Sequence, residues 1–302
     1  MANATRDLPS ESFFFCANDL KGVPHYILLS LNLLIAVTSF SGNLFIIVVL
    51  QRVTSIHPPS KLLFSSLAFT DLFVGVIVQP LSIVYFLYPE VSKLCSYIGH
   101  IYSGVGLMLC GVSMFTATAI SVDRCFALML GVRYRHYVTK KRIQTFMVAS
   151  WLANIGNAVS MLYNDAFAYT TVGAGLLCLT TSVFSYVKIH RVLRNHQTQV
   201  HQQLYFQQPN RREIPIKIAR YRKTVSSALW VSAVMVSCYL PYVVITSIVY
   251  LSDIYSPILL FATELAATLV QLNSSLNPLL YCWKIREVRR AATNLLKQFL
   301  CS

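Results

Sequence analysis

The sequence predicts an all-helical membrane protein, a bundle of seven transmembrane helices followed by a short amphipathic eighth helix. The 302 residues are 55% hydrophobic and only 12% charged, whereas a soluble domain carries about 25% charged residues. Seven apolar segments are each long enough to cross a bilayer, which takes roughly 20 residues. The Lys and Arg residues behind the net charge of +14 are concentrated between these segments.

The seven apolar segments are almost free of formal charge. Five contain no Asp, Glu, Lys or Arg, the second contains only Asp71, and the seventh contains only Glu264. The chain before them lacks the basic start and apolar core of a signal peptide, so we expect the first helix to act as its own insertion signal. The segments cover residues 26–51, 62–88, 96–122, 143–164, 166–187, 224–252 and 254–283.

The distribution of basic residues predicts the orientation, because Lys and Arg favour the cytoplasmic side. With the N-terminus outside, 22 of the 25 basic residues lie on the inner side, and six or eight spans would break this alternation. The same confinement argues against a nucleic-acid partner. We therefore expect an extracellular segment at 1–25, a transmembrane domain at 26–283 and a cytoplasmic helix and tail at 284–302. The inner loops are expected at about 52–61, 123–142 and 188–223.

The predicted eighth helix begins near Lys284 and has one apolar face, typical of a helix that lies on the inner leaflet. The alternative is a partly disordered basic tail. The apolar positions are Ile285, Val288, Ala292, Leu295 or Leu296, and Phe299.

Two short patterns suggest covalent modification. Asn3-Ala4-Thr5 is an N-glycosylation sequon on the predicted outer side. Asn273-Ser274-Ser275 has the same form but falls inside a predicted helix, so we discount it. Cys301, near the end of the basic tail, is a candidate for palmitoylation.

Polar residues within the spans are candidate functional groups, because an ionisable group at bilayer depth is costly. Asp71 indicates either a cation or proton site, or a buried carboxylate held by hydroxyls and amides. Arg124 follows Asp123 at the inner end of the third span, so the two form either a switchable ion pair or ordinary interfacial charges. Pro241 and Pro278 lie deep in the sixth and seventh spans and kink them.

The sequence contains no metal-ligand cluster, nucleophile motif or Gly-rich phosphate loop, so an enzyme is not expected. A secondary transporter is one alternative, but transporters often show internal repeats, and we find none here.

Short motifs on successive spans resemble those of rhodopsin-like (class A) G-protein-coupled receptors over roughly residues 26–300. Each motif alone is weak, whereas all of them in order on the expected helices are specific. The motifs are Gly42-Asn43, Leu67-Ala68-x-x-Asp71, Asp123-Arg124-Cys125, Trp151, Tyr186, Cys238-Tyr239-Leu240-Pro241 and Asn277-Pro278-Leu279-Leu280-Tyr281.

The resemblance implies a receptor at the plasma membrane, where an extracellular ligand shifts an equilibrium between inactive and active packings. The sixth helix would swing outward about its proline, and the Arg of the third helix would leave its Asp to let a heterotrimeric G protein bind. Membrane lipids and arrestin are further implied partners. The implied switch residues are Asp123, Arg124, Tyr186, Tyr239, Pro241, Asn277, Pro278 and Tyr281.

The resemblance also implies an allosteric sodium ion, with no other cofactor, held by Asp71, Ser113, Asn273 and Asn277. Many such receptors pair the Arg of the third helix with an acidic residue low in the sixth helix. Tyr221 stands at that position here, which predicts raised basal activity.

The outer loops depart from the family pattern. The usual disulfide position in the third helix is Gly99, and the second outer loop is nearly absent and contains no Cys. Cys95 and Cys16 are permitted to pair instead, and both bonded and free states stay open. The fifth helix has Cys178 where the family usually has Pro. These departures resemble the melanocortin, cannabinoid and lysolipid receptor branch.

The residues implied to line the ligand pocket are mainly apolar and aromatic, which suits a small or lipophilic ligand. Gly106 replaces the Asp that anchors monoamines, so a monoamine bound in that way is not expected. Glu264 is the one charge, with two alternatives: a partner for a cationic ligand group or a solvated carboxylate at a helix end. The predicted pocket residues are Gln79, Tyr102, Gly106, Leu107, Cys110, Tyr239, Tyr242, Thr246, Glu264, Thr268 and Gln271.

Overall fold

A computed structural model describes residues 22–87, 93–161, 163, 167–206, 213–252 and 256–300. Throughout these ranges the regular structure is helical, which confirms the predicted fold class. The eight main helices are α1 (Val23–Arg52), α2 (Pro58–Leu87), α3 (Lys93–Leu130), α4 (Lys140–Met161), α5 (Phe167–Phe206), α6 (Glu213–Ser252), α7 (Pro257–Lys284) and α8 (Arg286–Leu300).

Every predicted span except α4 forms a helix whose length and hydropathy suit a membrane crossing. Within the described residues, six helices are long and apolar enough to cross a membrane. The uncharged part of α4 contains Gln144, Asn154 and Asn157, which lower its mean hydropathy. It nevertheless presents exposed apolar side chains such as Leu152, which is 66% exposed. Because a bilayer rather than water is expected around the bundle, such surfaces are favourable there.

Three helices continue beyond the segments expected to cross the membrane. The helix α3 reaches Leu130, α5 reaches Phe206, and α6 already begins at Glu213. Much of the chain predicted as inner loops at 123–142 and 188–223 is therefore helical. The spans were bounded where charges begin, but Lys, Arg and Gln are good helix formers and do not end a helix.

The helix α3 occupies the centre of the bundle. It packs against α2, α4, α5 and α6, while α1 packs against α2 and α7, and α6 packs against α7. Buried apolar side chains fill the inner half, including Leu67, Ile120 and Met235. Many small polar residues are also buried, which is typical of helix contacts inside a membrane.

The helix α2 contains a turn of π-helix at Val74–Val78, just before Pro80. Such a turn accommodates about one extra residue and shifts the side chains that follow around the helix axis. In the shifted segment Gln79 and Ser82 are fully buried. The apolar run that predicted the span contains no signal for this turn.

The helix α8 has the predicted apolar face, so the alternative of a disordered tail does not hold for residues 286–300. Val288, Ala292 and Leu295 are 0%, 5% and 2% exposed, whereas Leu296 is 50% exposed. Leu295 is therefore the residue that completes the face.

Gly75 marks the closest approach of α2 to α1. A Cβ atom placed there would lie 2.8 Å from the backbone nitrogen of Phe40, so the Gly75→Ala variant must displace backbone. We expect a loss of about 1–3 kcal/mol in stability, the usual cost of overpacking, and a lower Tm for the purified protein in detergent.

The matched control for that prediction is Gly156→Ala on α4. A Cβ atom at Gly156 meets nothing within 4 Å, and Ala favours a helix. Equal melting temperatures for the two variants would contradict the predicted close approach.

Candidate functional site

The outer half of the bundle contains a cavity of about 180 Å³ between α3, α5, α6 and α7. Its walls are mainly apolar and aromatic. Nine of the eleven pocket residues expected from the sequence line it: Tyr102, Gly106, Leu107, Cys110, Tyr239, Tyr242, Thr246, Glu264 and Gln271.

The other two residues, Gln79 and Thr268, are not among those that line this cavity. The Gln79 amide donates to Gln271 Oε1 at 2.8 Å, and the Gln271 amide donates to the Tyr102 hydroxyl at 3.0 Å. Thr268 Oγ1 accepts a hydrogen bond from Asn32 at 3.3 Å and donates to the Glu264 carbonyl. These side chains hold the wall in place instead of facing its interior.

Sequence reasoning missed the wall that α5 contributes. Thr171, Val172 and Gly175 line the cavity, and a Cβ atom at Gly175 would lie 3.0 Å from Val243 on α6. The motif comparison named only Tyr186 on this helix, near its inner end. The small residue Gly175 was the available signal for close helix packing.

Glu264 faces the cavity and has no counter-charge among the residues that the structure describes. Its Oε2 atom is buried and has no hydrogen-bond partner, and no ion pair forms with it in the described part of the chain. Because Glu264 is partly exposed to this cavity, both alternatives, a partner for a cationic ligand group and a solvated carboxylate, stay open at this point. On the facing helix α3, Gly106 leaves the monoamine anchor position without a side chain.

Tyr239 lies at the cavity wall and also ties α6 to α3. It is 5% exposed, and its hydroxyl donates to the Cys110 carbonyl at 3.0 Å. Pro241 lies within the same helix two residues further on. A molecule that displaces the Tyr239 ring therefore acts directly on the kinked segment of α6.

Asp71 is fully buried below the cavity and joins α2, α3 and α7. Its Oδ1 atom accepts hydrogen bonds from Ser113 at 3.1 Å and Ser274 at 2.9 Å, and its Oδ2 atom accepts one from Asn277 at 2.7 Å. Ser274 was not among the predicted residues, because it appeared only in the discounted sequon. Asn273 is 2% exposed, and within the described chain its Oδ1 atom has no partner.

The donor set around Asp71 fits a monovalent cation. It offers carboxylate, hydroxyl and amide oxygens, which are the ligands that hard cations prefer, and the buried Asn273 oxygen is unused. It holds one carboxylate, and across the described residues no group of three or more His, Cys, Asp or Glu side chains forms a metal site. The same geometry also satisfies the second interpretation, a carboxylate held by hydroxyls and an amide.

At the inner end of α3, Arg124 pairs with Asp123. The Nη2 atom of Arg124 lies 3.1 Å from Asp123 Oδ2, and its guanidinium carbon lies 5.4 Å from the centroid of the Phe64 ring. Asp123 also accepts hydrogen bonds from Ser60 at 2.9 Å and from Tyr134. The carboxylate is thus held from three sides, and the guanidinium has few contacts of its own.

The contact from Tyr134 was not foreseen, since the residue lies in the short helix Tyr134–Tyr137 after α3. The ring of His57 packs against it with centroids 5.2 Å apart. Burial lowers the pKa of His57 below its usual value of 6.5, so this imidazole is neutral at pH 7. It adds no positive charge beside Arg124.

The inner face is closed around Arg124. The void there leaves no room for a water-sized sphere, and Tyr281, 1% exposed, packs edge-on against Phe64 with centroids 5.2 Å apart. Tyr186 lies outside this lining and is 37% exposed. The residues around the void are Phe64, Ile120, Arg124, Val231, Leu280, Tyr281 and Ile285.

Several predicted features fall outside the residues and side chains that the structure describes. They are the sequon at Asn3, the pair Cys16 and Cys95, the side chain of Tyr221, and Cys301.

The structure thus combines a bundle of long helices with an outer cavity, a buried polar centre and an inner ion pair. Residues 42–170 match the family described as 7 transmembrane receptor (rhodopsin family). This match covers less than half of the chain, and with the relatives below it agrees with the resemblance to rhodopsin-like receptors found in the sequence.

The similar proteins are receptors rather than enzymes. The chain is 26% identical to trace amine-associated receptor 9 of Homo sapiens, over 82% of this chain and 78% of that protein. It is 26% identical to adenosine receptor A3 of Ovis aries, over 89% of each. It is 27% identical to 5-hydroxytryptamine receptor 1E of Homo sapiens, over 51% of this chain and 47% of the relative. These relatives do not point specifically to the melanocortin, cannabinoid and lysolipid branch.

Proposed function

We propose that this protein is a ligand-activated receptor that couples to heterotrimeric G proteins at the plasma membrane. Its N-terminus faces outward and its C-terminus faces the cytoplasm, as the distribution of basic residues indicates. Membrane lipids surround it, and arrestin is a further partner by family resemblance.

The position of Tyr239 carries this proposal. Its ring lines the outer cavity, its hydroxyl binds the Cys110 carbonyl of α3, and Pro241 follows on the same helix. A ligand that favours one position of this ring shifts the equilibrium between two packings of α6. The closed inner face around the paired Arg124 is the state that such a ligand opens.

The cavity supports a small, largely apolar ligand, since its volume is about 180 Å³. Gly106 removes the monoamine anchor on α3, so an amine held there is not the ligand we propose. The short outer loop resembles that of the melanocortin, cannabinoid and lysolipid branch. The relatives named for trace amines, adenosine and 5-hydroxytryptamine support a small ligand more than a peptide.

Coupling is tested by measuring activation of each G-protein class in cells that express the receptor. Basal signal is compared with empty-vector cells, and a panel of small lipophilic and amine compounds is then added. We expect a signal above background for at least one class. If surface expression is normal and no class responds with or without the panel, the coupling proposal is wrong.

A seven-helix protein that binds ligand without G proteins is the competing hypothesis, with a transporter as a weaker one. The intact Asp123-Arg124 and Asn277–Tyr281 motifs argue against the first of these, whereas Cys125 and Tyr239 depart from the family motifs and leave room for it. Ligand binding without any G-protein response would support it.

We also propose that the Asp71 cluster binds sodium and thereby stabilises the closed packing. Sodium chloride is expected to raise the Tm of the purified receptor above that in choline chloride at equal ionic strength. Asp71→Asn removes the charged ligand and is expected to abolish the difference, because a cation in a buried site needs a compensating charge. The control variant Glu287→Gln alters an exposed carboxylate of α8 and is expected to keep it. The same sodium response in both variants would contradict the site.

A further inference from the structure

We propose that the ligand of the outer cavity carries a cationic nitrogen that pairs with Glu264, with an aromatic or apolar body that packs against the tyrosines of the wall. This inference rests on the proposed function only in taking the outer cavity as the ligand site. The residue that pairs with the ligand's positive charge is then on α7, and not at the monoamine anchor position of α3.

The state of the Glu264 carboxylate is the first observation. An acidic side chain at bilayer depth is costly unless it is paired or faces a water-filled cavity. Here Oε2 is buried without a hydrogen-bond partner, and the rest of Glu264 lines the cavity. No Lys, Arg or His is among the residues that line the cavity. The described protein therefore supplies a negative charge to this cavity and no positive one.

The nature of the walls is the second observation. Tyr102, Tyr239 and Tyr242 all line the same cavity as Glu264. Aromatic faces attract cations, at about 0.5–2 kcal/mol for each contact, and they repel anions. A cavity lined by one carboxylate and three tyrosines thus favours an organic cation over a neutral or anionic molecule.

Three hydroxyls that line the cavity already form a hydrogen bond within the protein. The Tyr102 hydroxyl accepts the Gln271 amide, the Tyr239 hydroxyl donates to Cys110, and the Thr246 hydroxyl donates to the Tyr242 carbonyl at 2.6 Å. Glu264 is the one charged group in the described lining, so it is the strongest partner that the cavity offers to a polar group of a ligand.

The length of the ligand follows from the helix. Glu264 and Gln271 are separated by seven residues, or about 10 Å along α7 at about 1.5 Å for each residue. A nitrogen at Glu264 and a ring at the level of Gln271 thus span the length of an aryl-alkylamine. Gly106 on the facing helix leaves room for such a chain, since a Cβ atom there would meet only Val78 at 3.6 Å.

The test uses the full-length receptor purified in detergent, without G protein. The probes are phenethylamine, phenylpropylamine, phenylbutylamine and tryptamine, each matched with the alcohol that has hydroxyl in place of the amine. Binding is measured by the ligand-dependent rise in Tm across a concentration series.

We expect at least one amine to bind about tenfold or more tightly than its matched alcohol. The Glu264→Gln variant is expected to lose that preference, while Glu264→Asp retains part of it and Glu287→Gln retains all of it. The unliganded Tm of Glu264→Gln is expected to equal or exceed that of the parent, since a buried unpaired charge is removed. That measurement separates loss of binding from loss of fold.

Two outcomes would overturn the inference. One is that no amine of the series raises the Tm, or that each amine binds no more tightly than its matched alcohol. The other is an amine preference that survives in Glu264→Gln. Because no G protein is present, failure of coupling in cells leaves this result unaffected, and an amine that binds without signalling contradicts only the proposed function.

Discussion

Replacing Arg124 by alanine is expected to abolish G-protein activation while leaving the receptor folded and at the cell surface. The guanidinium is held by the ion pair with Asp123 and by the face of Phe64, and its Nε atom has no hydrogen-bond partner in the described chain. Few bonds must break before it changes partner. In the proposed active state it reaches toward Tyr186 and Tyr281, so its removal eliminates the contact that holds the inner face open.

The stability of that variant follows from the surroundings of Asp123. Ser60 and Tyr134 both remain bonded to the carboxylate when Arg124 is lost. Asp123 therefore keeps two donors, and the loss of a buried pair costs less than the usual about 3–5 kcal/mol. Surface expression should stay within about twofold of the parent.

The matched control is Arg133→Ala, which removes an exposed arginine of the same inner segment. It is expected to signal normally. Full activity in Arg124→Ala at equal surface expression, or equal losses in both variants, would show that Arg124 is not the switch.

The sequence predicted the bundle well because membrane burial leaves a simple signal. Each span is a long apolar run, so counting such runs was enough for α1, α2 and α7. The ends of α5 and α6 were harder, because the polar residues that leave the membrane still form helix. The π-helical turn at Val74–Val78 could not be foreseen, since it depends on how neighbouring helices satisfy the backbone.

The candidate site was predictable where a motif fixes a residue and unpredictable where a partner comes from elsewhere in the chain. Asp71 and Asn277 were both predicted, and Asn277 Nδ2 lies 2.7 Å from Asp71 Oδ2. Tyr134 contacts Asp123 through the folding of an inner loop, and no periodicity encodes that contact. Gln79 was assigned to the cavity wall by position, but its amide is taken by Gln271.

A lysine and two tryptophans join the inner ends of α6 and α7. Lys284 Nζ lies 4.6 Å from the Trp230 ring centroid and 3.3 Å from that of Trp283. The two indole rings are themselves 5.5 Å apart. Trp230 is on α6, whereas Lys284 and Trp283 end α7, so the cluster ties the helix expected to move to one expected to stay.

We expect Trp230→Ala to raise basal G-protein signalling about three- to tenfold. A cation–π contact contributes about 0.5–2 kcal/mol depending on its exposure, and about 1.4 kcal/mol corresponds to tenfold in an equilibrium constant. The cluster matters more here because Tyr221 stands where many relatives have an acidic partner for the Arg of α3. Phe184→Ala, which removes an aromatic ring that is 67% exposed on α5, is the control and should leave basal signal unchanged.

A double-mutant cycle with Lys284→Gln shows whether Trp230 acts through its contact with Lys284 or through the packing of α6 in general. If Trp230 and Lys284 act through each other, either single variant releases α6 and the double variant adds little, because contacting residues are not additive. Independent effects would multiply instead, and would show that Trp230 acts through the membrane interface, where exposed tryptophans commonly lie. Unchanged basal signal in Trp230→Ala would mean that α6 is free to move without breaking this contact.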